Sequence, residues 1–254
     1  MSSRNIEFNA INCDLISIQS EIRKFFNWDL QEDIDSAVNL LHLVENLPPE
    51  NWTRINRNRT LLDIIKKLNN NKNKIVIVGA AITTDNIIQM LKSDNLFVAA
   101  DGAAGVFSAL PDELIDMAWS RLVCVVSDAD GGIGTENAFK KGIPIILHAH
   151  GDNQHSWRNF LTLDINNIQN TKIVLTHQIP QKIEGMYNIG GFTDGDRAAC
   201  FVRSTGISNE KIIMTGSRTD IVGKWSGKTN KELKLLKLQW MSKIFKLLNM
   251  KYSK

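Results

Sequence analysis

No run of about 18 uncharged apolar residues occurs in this 254-residue chain, so a transmembrane helix is not expected. The start, Met1-Ser2-Ser3-Arg4-Asn5, leads into polar sequence and lacks the apolar stretch of a secretory leader. Cysteine is scarce. Cys13, Cys124 and Cys200 have neither pairing nor zinc spacing, which excludes a disulfide framework, and Cys124 lies in the apolar run Leu122 to Val126, where a buried reduced thiol is the ordinary reading. These absences together suit the cytoplasm. No internal repeat is apparent. A spread of basic residues is missing too: the net charge is +3, yet nine lysines and one glutamate fall between Ile221 and Lys254, leaving the rest of the chain net acidic. An acidic body with a basic tail argues against nucleic acid as a partner. It suits a body that holds metal ions with carboxylates, while the tail lysines read as a solvated helix face that also attracts an anionic substrate.

What is present is enough apolar sequence, 43% of residues, to bury one sizeable core. Residues 1 to 72 read as a helical N-terminal appendage. Asp33 to Leu47 carries Ile34, Ala37, Val38, Leu41 and Val44 at helical spacing and stops at Pro48-Pro49; a second helix spans roughly Asn58 to Leu68 and ends in the turn Asn69 to Asn73. Trp28 and Trp52 read as packing residues that fix these helices to the body.

Residues 73 to 254 change pattern. Ile75–Val78, Leu96–Ala100, Leu122–Val126, Ile143–Leu147 and Ile173–Thr176 are short apolar β-rich runs, and Ile212–Met214 is a weaker sixth. Asn86 to Leu91, His155 to Leu163 and Arg197 to Val202 look helical between them. The expected fold class is therefore α/β, a mostly parallel sheet with helices on both faces. Thr229 to Asn249 reads as a C-terminal amphipathic helix that docks through Leu233, Leu236, Trp240, Ile244 and Leu247.

Polar residues follow the strand ends, which is where an open parallel sheet binds ligands. Asp128 and Asp130 follow the third strand; two residues apart in extended backbone, both carboxylates face one ion. Magnesium takes oxygen ligands, one or two carboxylates plus substrate phosphates, with manganese as the alternative ion. Gly131-Gly132 admits close phosphate approach. The fourth strand ends in His148-Ala149-His150-Gly151-Asp152-Asn153. Zinc wants three or four nitrogen or sulfur ligands and only His155 and His177 lie nearby, so Asp152 reads instead as a further magnesium ligand or orienting base, with His148 and His150 donating to phosphate or holding carboxylates. A third cluster is Gly190-Gly191-Phe192-Thr193-Asp194-Gly195-Asp196-Arg197. Thr193 or Asp194 caps the following helix, and Arg197 reads as reaching from its first turn toward an anion, held by Asp196.

Through Ala100-Asp101-Gly102-Ala103, Ser127-Asp128-Ala129-Asp130-Gly131, His148 to Asn153 and Gly190 to Ala198, the sequence resembles the archaeal 6-hydroxymethyl-7,8-dihydropterin diphosphokinase family, itself similar at a distance to thiamin pyrophosphokinase. The resemblance runs from about Lys74 to the C-terminus, with a looser match over Gly216 to Ser226. Ala129 stands where that family usually has leucine. The first glycine-rich turn carries a single glycine, Gly79, with Thr83 and Thr84 as hydroxyl donors beside it.

The resemblance implies magnesium-dependent transfer of diphosphate from ATP to the primary alcohol of a reduced hydroxymethylpterin, with release of AMP, in folate or methanopterin biosynthesis. It implies metal held by Asp128, Asp130 and Asp152, with His150 in the catalytic set. Asp101 would hold the metal or orient the pterin. Gly79, Thr83, Gly102, His148, Asn153, Thr193, Asp194, Asp196 and Arg197 would bind nucleotide or pterin. Partners are then small molecules, with room for a homo-oligomer. The alternative is a nucleotide-sugar glycosyltransferase, many of which hold a divalent ion by an Asp-x-Asp after a strand; no evident acceptor-binding segment supports it. A non-catalytic nucleotide sensor would leave the His/Asp cluster without a purpose.

Overall fold

The computed structural model describes residues 6–47, 49–162, 170–227 and 229–252. The Met1–Asn5 start, Pro48, Leu163 and the tail lysines Lys228 and Lys254 lie outside that set.

Six strands form one parallel sheet: β1 (Ile75–Val78), β2 (Leu96–Ala100), β3 (Leu122–Ser127), β4 (Ile145–Ala149), β5 (Ile173–His177) and β6 (Ile212–Thr215), in the order β5-β4-β3-β2-β1-β6. The continuous Ile/Val runs suit strands covered on both sides, and β1, β3, β4 and β5 are buried throughout. Side chains alternate between two cores. Val76, Val78, Phe97, Ala99, Leu147 and Leu175 enter one; Ile75, Ile77, Val98, Val126, Ile146 and Val174 enter the other.

From β1 to β5 the chain steps in one direction, so right-handed crossovers place α4 (Thr84–Leu91), α5 (Asp112–Arg121), α6 (Ile133–Lys140) and α7 (Gln154–Thr162) on one face. The return from β5 to β6 reverses direction and puts α8 (Asp194–Ser204) on the other face, where α9 (Lys231–Leu247) joins it. The reversal makes the gap between β1 and β6 a switch point, where the carboxyl ends of two adjacent strands lead to opposite faces.

The N-terminal helices contribute to both cores. α1 (Asp14–Phe26) and α3 (Arg54–Asn70) supply Leu15, Ile18, Leu61 and Leu68 to the α8 core, while α2 (Leu30–Asn46) supplies Ala37, Leu40 and Val44 to the opposite one. Trp52 is fully buried and donates from Nε1 to Thr171 Oγ1 at 3.1 Å. Truncating such a core side chain, as in Leu40→Ala, costs about 2–5 kcal/mol. Asp29 and Thr53 cap α2 and α3 by accepting from the backbone N–H of Gln31 and Asn56.

The C-terminal helix docks by part of the expected stripe, Trp240, Ile244 and Leu247, with Leu233 and Leu236 left out of the contact. Leu238, Trp240, Met241, Ile244 and Phe245 are buried, whereas Leu233 and Leu236 are each 40% exposed. Leu235, between them, packs against the core instead. No helix among the described residues is long and apolar enough to cross a membrane.

Candidate active site

The acidic residues converge at the carboxyl ends of β2 and β3. Asp101 follows β2 with φ 47°, a left-handed conformation that an aspartate tolerates at a cost and that clusters at functional sites. Its carboxylate accepts from Ser127 Oγ and, at 3.0 Å, from Thr135 Oγ1. Asp128 and Asp130 follow β3, and Ala129 between them has φ 71°. The pair is therefore not in extended backbone; a left-handed turn, not the strand pleat, brings the two carboxylates together. Carboxylate oxygens of Asp101, Asp128 and Asp130 all lie within 4.8 Å of one another. The glycines packed here have no space for a side chain: a Cβ on Gly131 would stand 2.3 Å from Asp101 Oδ2, and one on Gly102 would stand 2.8 Å from the Gly131 carbonyl.

His150, after β4, stands 3.2 Å from Asp128 Oδ2 through Nε2 and 2.7 Å from Asp152 Oδ1 through Nδ1. Burial opposes its charge, but the two carboxylates outweigh burial and push its pKa up to about 9. Burial would raise Asp128, yet its hydrogen bond and charge pairing with His150 hold it well below the usual range. Asp130 keeps an open side toward solvent; close packing and then the charges of Asp128, Asp101 and Asp194 push it up to about 10. Burial and the same neighbours raise Asp194 to about 8 and also raise Asp101. Four carboxylates crowd one place, and a bound cation relieves that repulsion. Asp128 Oδ1 is buried without a protein partner, as a metal-facing oxygen would be. The hard oxygen set fits magnesium or manganese rather than zinc.

Asp152 is not part of this cluster. Its side chain is 77% exposed and sits on the far nitrogen of His150, because Gly151 N donates to Asp33 Oδ1 at 2.8 Å and pins the turn. Asn153 and His148 are buried and hydrogen-bonded within the fold. Asn153 is buried, donates to the Asp128 and His148 carbonyls at 3.0 and 2.7 Å, and accepts from His150 N; it clasps the β3 and β4 ends together. His148 is fully buried against Thr176 and Gln178, and burial followed by the charges of Arg197 and His150 keeps its pKa well below normal.

Of the third motif, Asp196 is a cap. It accepts from the N–H groups of Phe192 and Thr193 and from the Thr193 hydroxyl, and burial raises it to about 6. Arg197 is no surface residue: 1% exposed, it is held by Asp194 Oδ1 at 3.1 Å and by the Phe192 carbonyl at 2.6 Å, not by Asp196. It is a fixed buried cation behind Asp128 and Asp194. Thr83 is exposed and caps α4 with Asn86, away from the cluster.

Two recesses meet at the carboxylates. One lies at the β1–β6 switch and is lined by Gly79, Ala80, Gly216, Ser217 and Trp225; the other is lined by Trp28, His150, Gln178, Phe192, Arg197 and Lys237. Asp130, Thr193, Asp194, Ser226 and Lys234 line both. Among the lining residues, Trp28, Gln178, Ser217, Lys234 and Lys237 were not named as site residues from the sequence; the lysines were visible only as part of the basic tail, Ser217 only within the looser match, and Trp28 only as a packing residue.

No protein-family model matches the sequence. Curated proteins do. The chain is 30% identical over 213 residues to a Methanocaldococcus jannaschii protein named 6-hydroxymethyl-7,8-dihydropterin pyrophosphokinase, covering 78% of this chain and 75% of that one. The chain belongs to the 6-hydroxymethyl-7,8-dihydropterin pyrophosphokinase family. Proteins of the same name from Pyrococcus furiosus and Methanothermobacter thermautotrophicus are 31% and 32% identical over 160 and 123 residues, which is 60% and 47% of this chain and 59% and 44% of theirs. As a member of this family the chain is an enzyme, a diphosphokinase.

Proposed function

We propose that this protein transfers a diphosphoryl group from ATP to the hydroxymethyl oxygen of 6-hydroxymethyl-7,8-dihydropterin and releases AMP, with magnesium held by Asp101, Asp128 and Asp130. The observation that carries the reading is the meeting of two recesses at one carboxylate cluster. A group transfer needs donor and acceptor to reach a common point, and Asp130, Asp194 and Lys234 stand on the wall between them. The relatives' names supply the acceptor and the group transferred.

Magnesium bound there would neutralise charge on the phosphate oxygens and polarise the β-phosphorus. The protein's own work is positioning and electrostatics, which dominate phosphoryl transfer. His150 fixes the Asp128 carboxylate so that Oδ1 is left for the ion. Arg197 offsets the carboxylate charge from behind. Lys234 and Lys237, from α9, stand where negative charge builds on the transferring group, and the amino end of α8 at Thr193–Gly195 presents its dipole to both recesses.

The test is nucleotide product analysis with ATP, magnesium and hydroxymethyldihydropterin. AMP formed in step with pterin diphosphate supports the reading. A nucleoside diphosphate released from a sugar nucleotide, with no AMP from ATP, would replace it by glycosyl transfer.

A further inference from the structure

The two recesses differ in chemistry, and the difference assigns them. We propose that the reduced pterin ring lies in the recess walled by Trp28 and Phe192, and the nucleotide in the recess between β1 and β6. The assignment rests on the diphosphokinase reading above.

One wall of the Trp28 recess, Trp28 and Phe192, is aromatic and suits a flat heterocycle, while Asp128, Asp130, Arg197 and Lys237 line the rest. Phe26 stacks on Trp28 with ring centres 4.7 Å apart and planes at 17°, which stiffens the indole, and Phe192 lies 5.9 Å away at 48°. Two aromatic rings at such an angle favour a planar guest by stacking and edge contact. Lys237 Nζ stands 5.2 Å from the Trp28 centre and 5.9 Å from that of Phe192, a cation over both rings on a long stem that a guest can displace toward the phosphates.

At the base is Gln178, 5% exposed. Its Nε2 donates to both oxygens of Asp33 at 3.0 Å, and Arg23 donates to Asp33 at 3.1 Å and to the Gln178 carbonyl at 3.0 Å. The amide is thereby held one way round, with its nitrogen on the Asp33 carboxylate. Oε1 has only the His148 ring nitrogen, at 3.5 Å, and so retains capacity to accept. A pterin presents a 2-amino group and a ring N–H along one edge, both donors, and its hydroxymethyl group at the opposite end of the bicycle. The proposed pose sets the donor edge against Gln178 and the hydroxymethyl toward Asp128 and Asp130, which line the same recess.

The other recess suits phosphate. Its two turns pack so tightly that a Cβ on Gly79 would stand 2.6 Å from the Gly216 carbonyl, which leaves bare backbone at the edge of the cavity. Ser217 is 2% exposed and its Oγ has no protein partner. A buried hydroxyl without a partner beside a carboxylate cluster is placed for a phosphate oxygen.

Steady-state kinetics with each substrate varied in turn tests the assignment, using Trp28→Leu and Trp28→Phe. Trp28→Leu is expected to raise KM for hydroxymethyldihydropterin about tenfold or more while KM for ATP stays within about twofold, and Trp28→Phe is expected to recover most of the loss. Should Trp28→Leu fail to fold, tryptophan fluorescence decides the matter: the pterin should quench a component in the wild type, in the presence of a non-hydrolysable ATP analogue, that is missing from Trp28→Phe. A rise in KM for ATP with KM for the pterin unchanged would reverse the assignment, and unchanged constants with an unchanged quench would overturn it. A wild-type enzyme that makes no AMP from ATP and the pterin overturns the underlying reading instead, and is seen before any variant is made.

Discussion

His150 bridges Asp128 and Asp152, with Nε2 3.2 Å from Asp128 Oδ2 and Nδ1 2.7 Å from Asp152 Oδ1. A ring between two carboxylates donates from both nitrogens, so one oxygen of Asp128 is committed to His150. The other, Oδ1, is buried without a protein partner. This division of the Asp128 carboxylate, one oxygen held and one left over, orders the carboxylates by how much each should matter.

Asp128→Asn and Asp130→Asn should each lower turnover by about a hundredfold or more, because each removes a preorganised charge at the metal. Asp152→Asn should cost about tenfold or less, since it loosens His150 without touching the cluster. Melting curves of all three should stay near wild type. Equal losses at Asp128 and Asp152 would place Asp152 back among the metal ligands.

Magnesium binding should release protons. Asp130 and Asp194 are raised to about 10 and 8 in the free protein, so both carry protons near pH 7 that a cation displaces. The same shifts set the sign of the stability change. Between an unfolded value near 3.9 and these folded values the native state binds more protons than the unfolded one, so metal-free stability falls as pH rises. His150, raised to about 9, acts in the same direction above its ordinary value. The melting temperature without metal should therefore fall from pH 6.5 to 9, and the stabilising shift on adding magnesium should grow across that window. A magnesium shift that does not change with pH would mean that the carboxylates are already ionised.

The six strands were legible because each is a short Ile/Val-rich run, and the carboxylate pair because it follows one of them. What was not legible depended on partners far along the chain. Trp28 reads as a packing residue until Phe192 and Lys237 are seen beside it. Asp152 looks like a ligand within its motif, and only Asp33, more than a hundred residues earlier, shows why the turn aims it outward. α5 and α6 lack a strong apolar stripe and were not expected; the 3-10 segment Asp101–Ala109 reads as a small-residue turn. The extended-strand geometry assumed for Asp128 and Asp130 fails at Ala129, whose left-handed φ no composition rule announces.

Arg197 illustrates the same limit, since its sequence position suggests a side chain reaching toward an anion and held by Asp196. Buried and paired with Asp194, it should be costly to remove. Arg197→Ala should lower stability by about 1–3 kcal/mol, because it leaves Asp194 and the Phe192 carbonyl without their donor. For a chain of this size that is about 2–10 °C in Tm. Turnover should fall as well, since the counter-charge behind Asp128 is gone. A variant that melts as wild type would return Arg197 to the role of an accessory anion contact.

Ser217 should show the opposite pattern. Its Oγ is buried at the β1–β6 switch and has no partner in the protein, so Ser217→Ala deletes a desolvated polar atom that nothing in the free enzyme satisfies. Removing such a group leaves stability unchanged or slightly raised. If the hydroxyl donates to a phosphate oxygen in the complex, the lost bond is to a charged acceptor and is worth about 1.5–3 kcal/mol, roughly a tenfold to hundredfold effect. The expected result is a Tm at or above wild type together with KM for ATP raised at least about tenfold and KM for the pterin little changed. A lower Tm with normal ATP kinetics would make Ser217 a structural residue and leave the glycine turn without its phosphate donor.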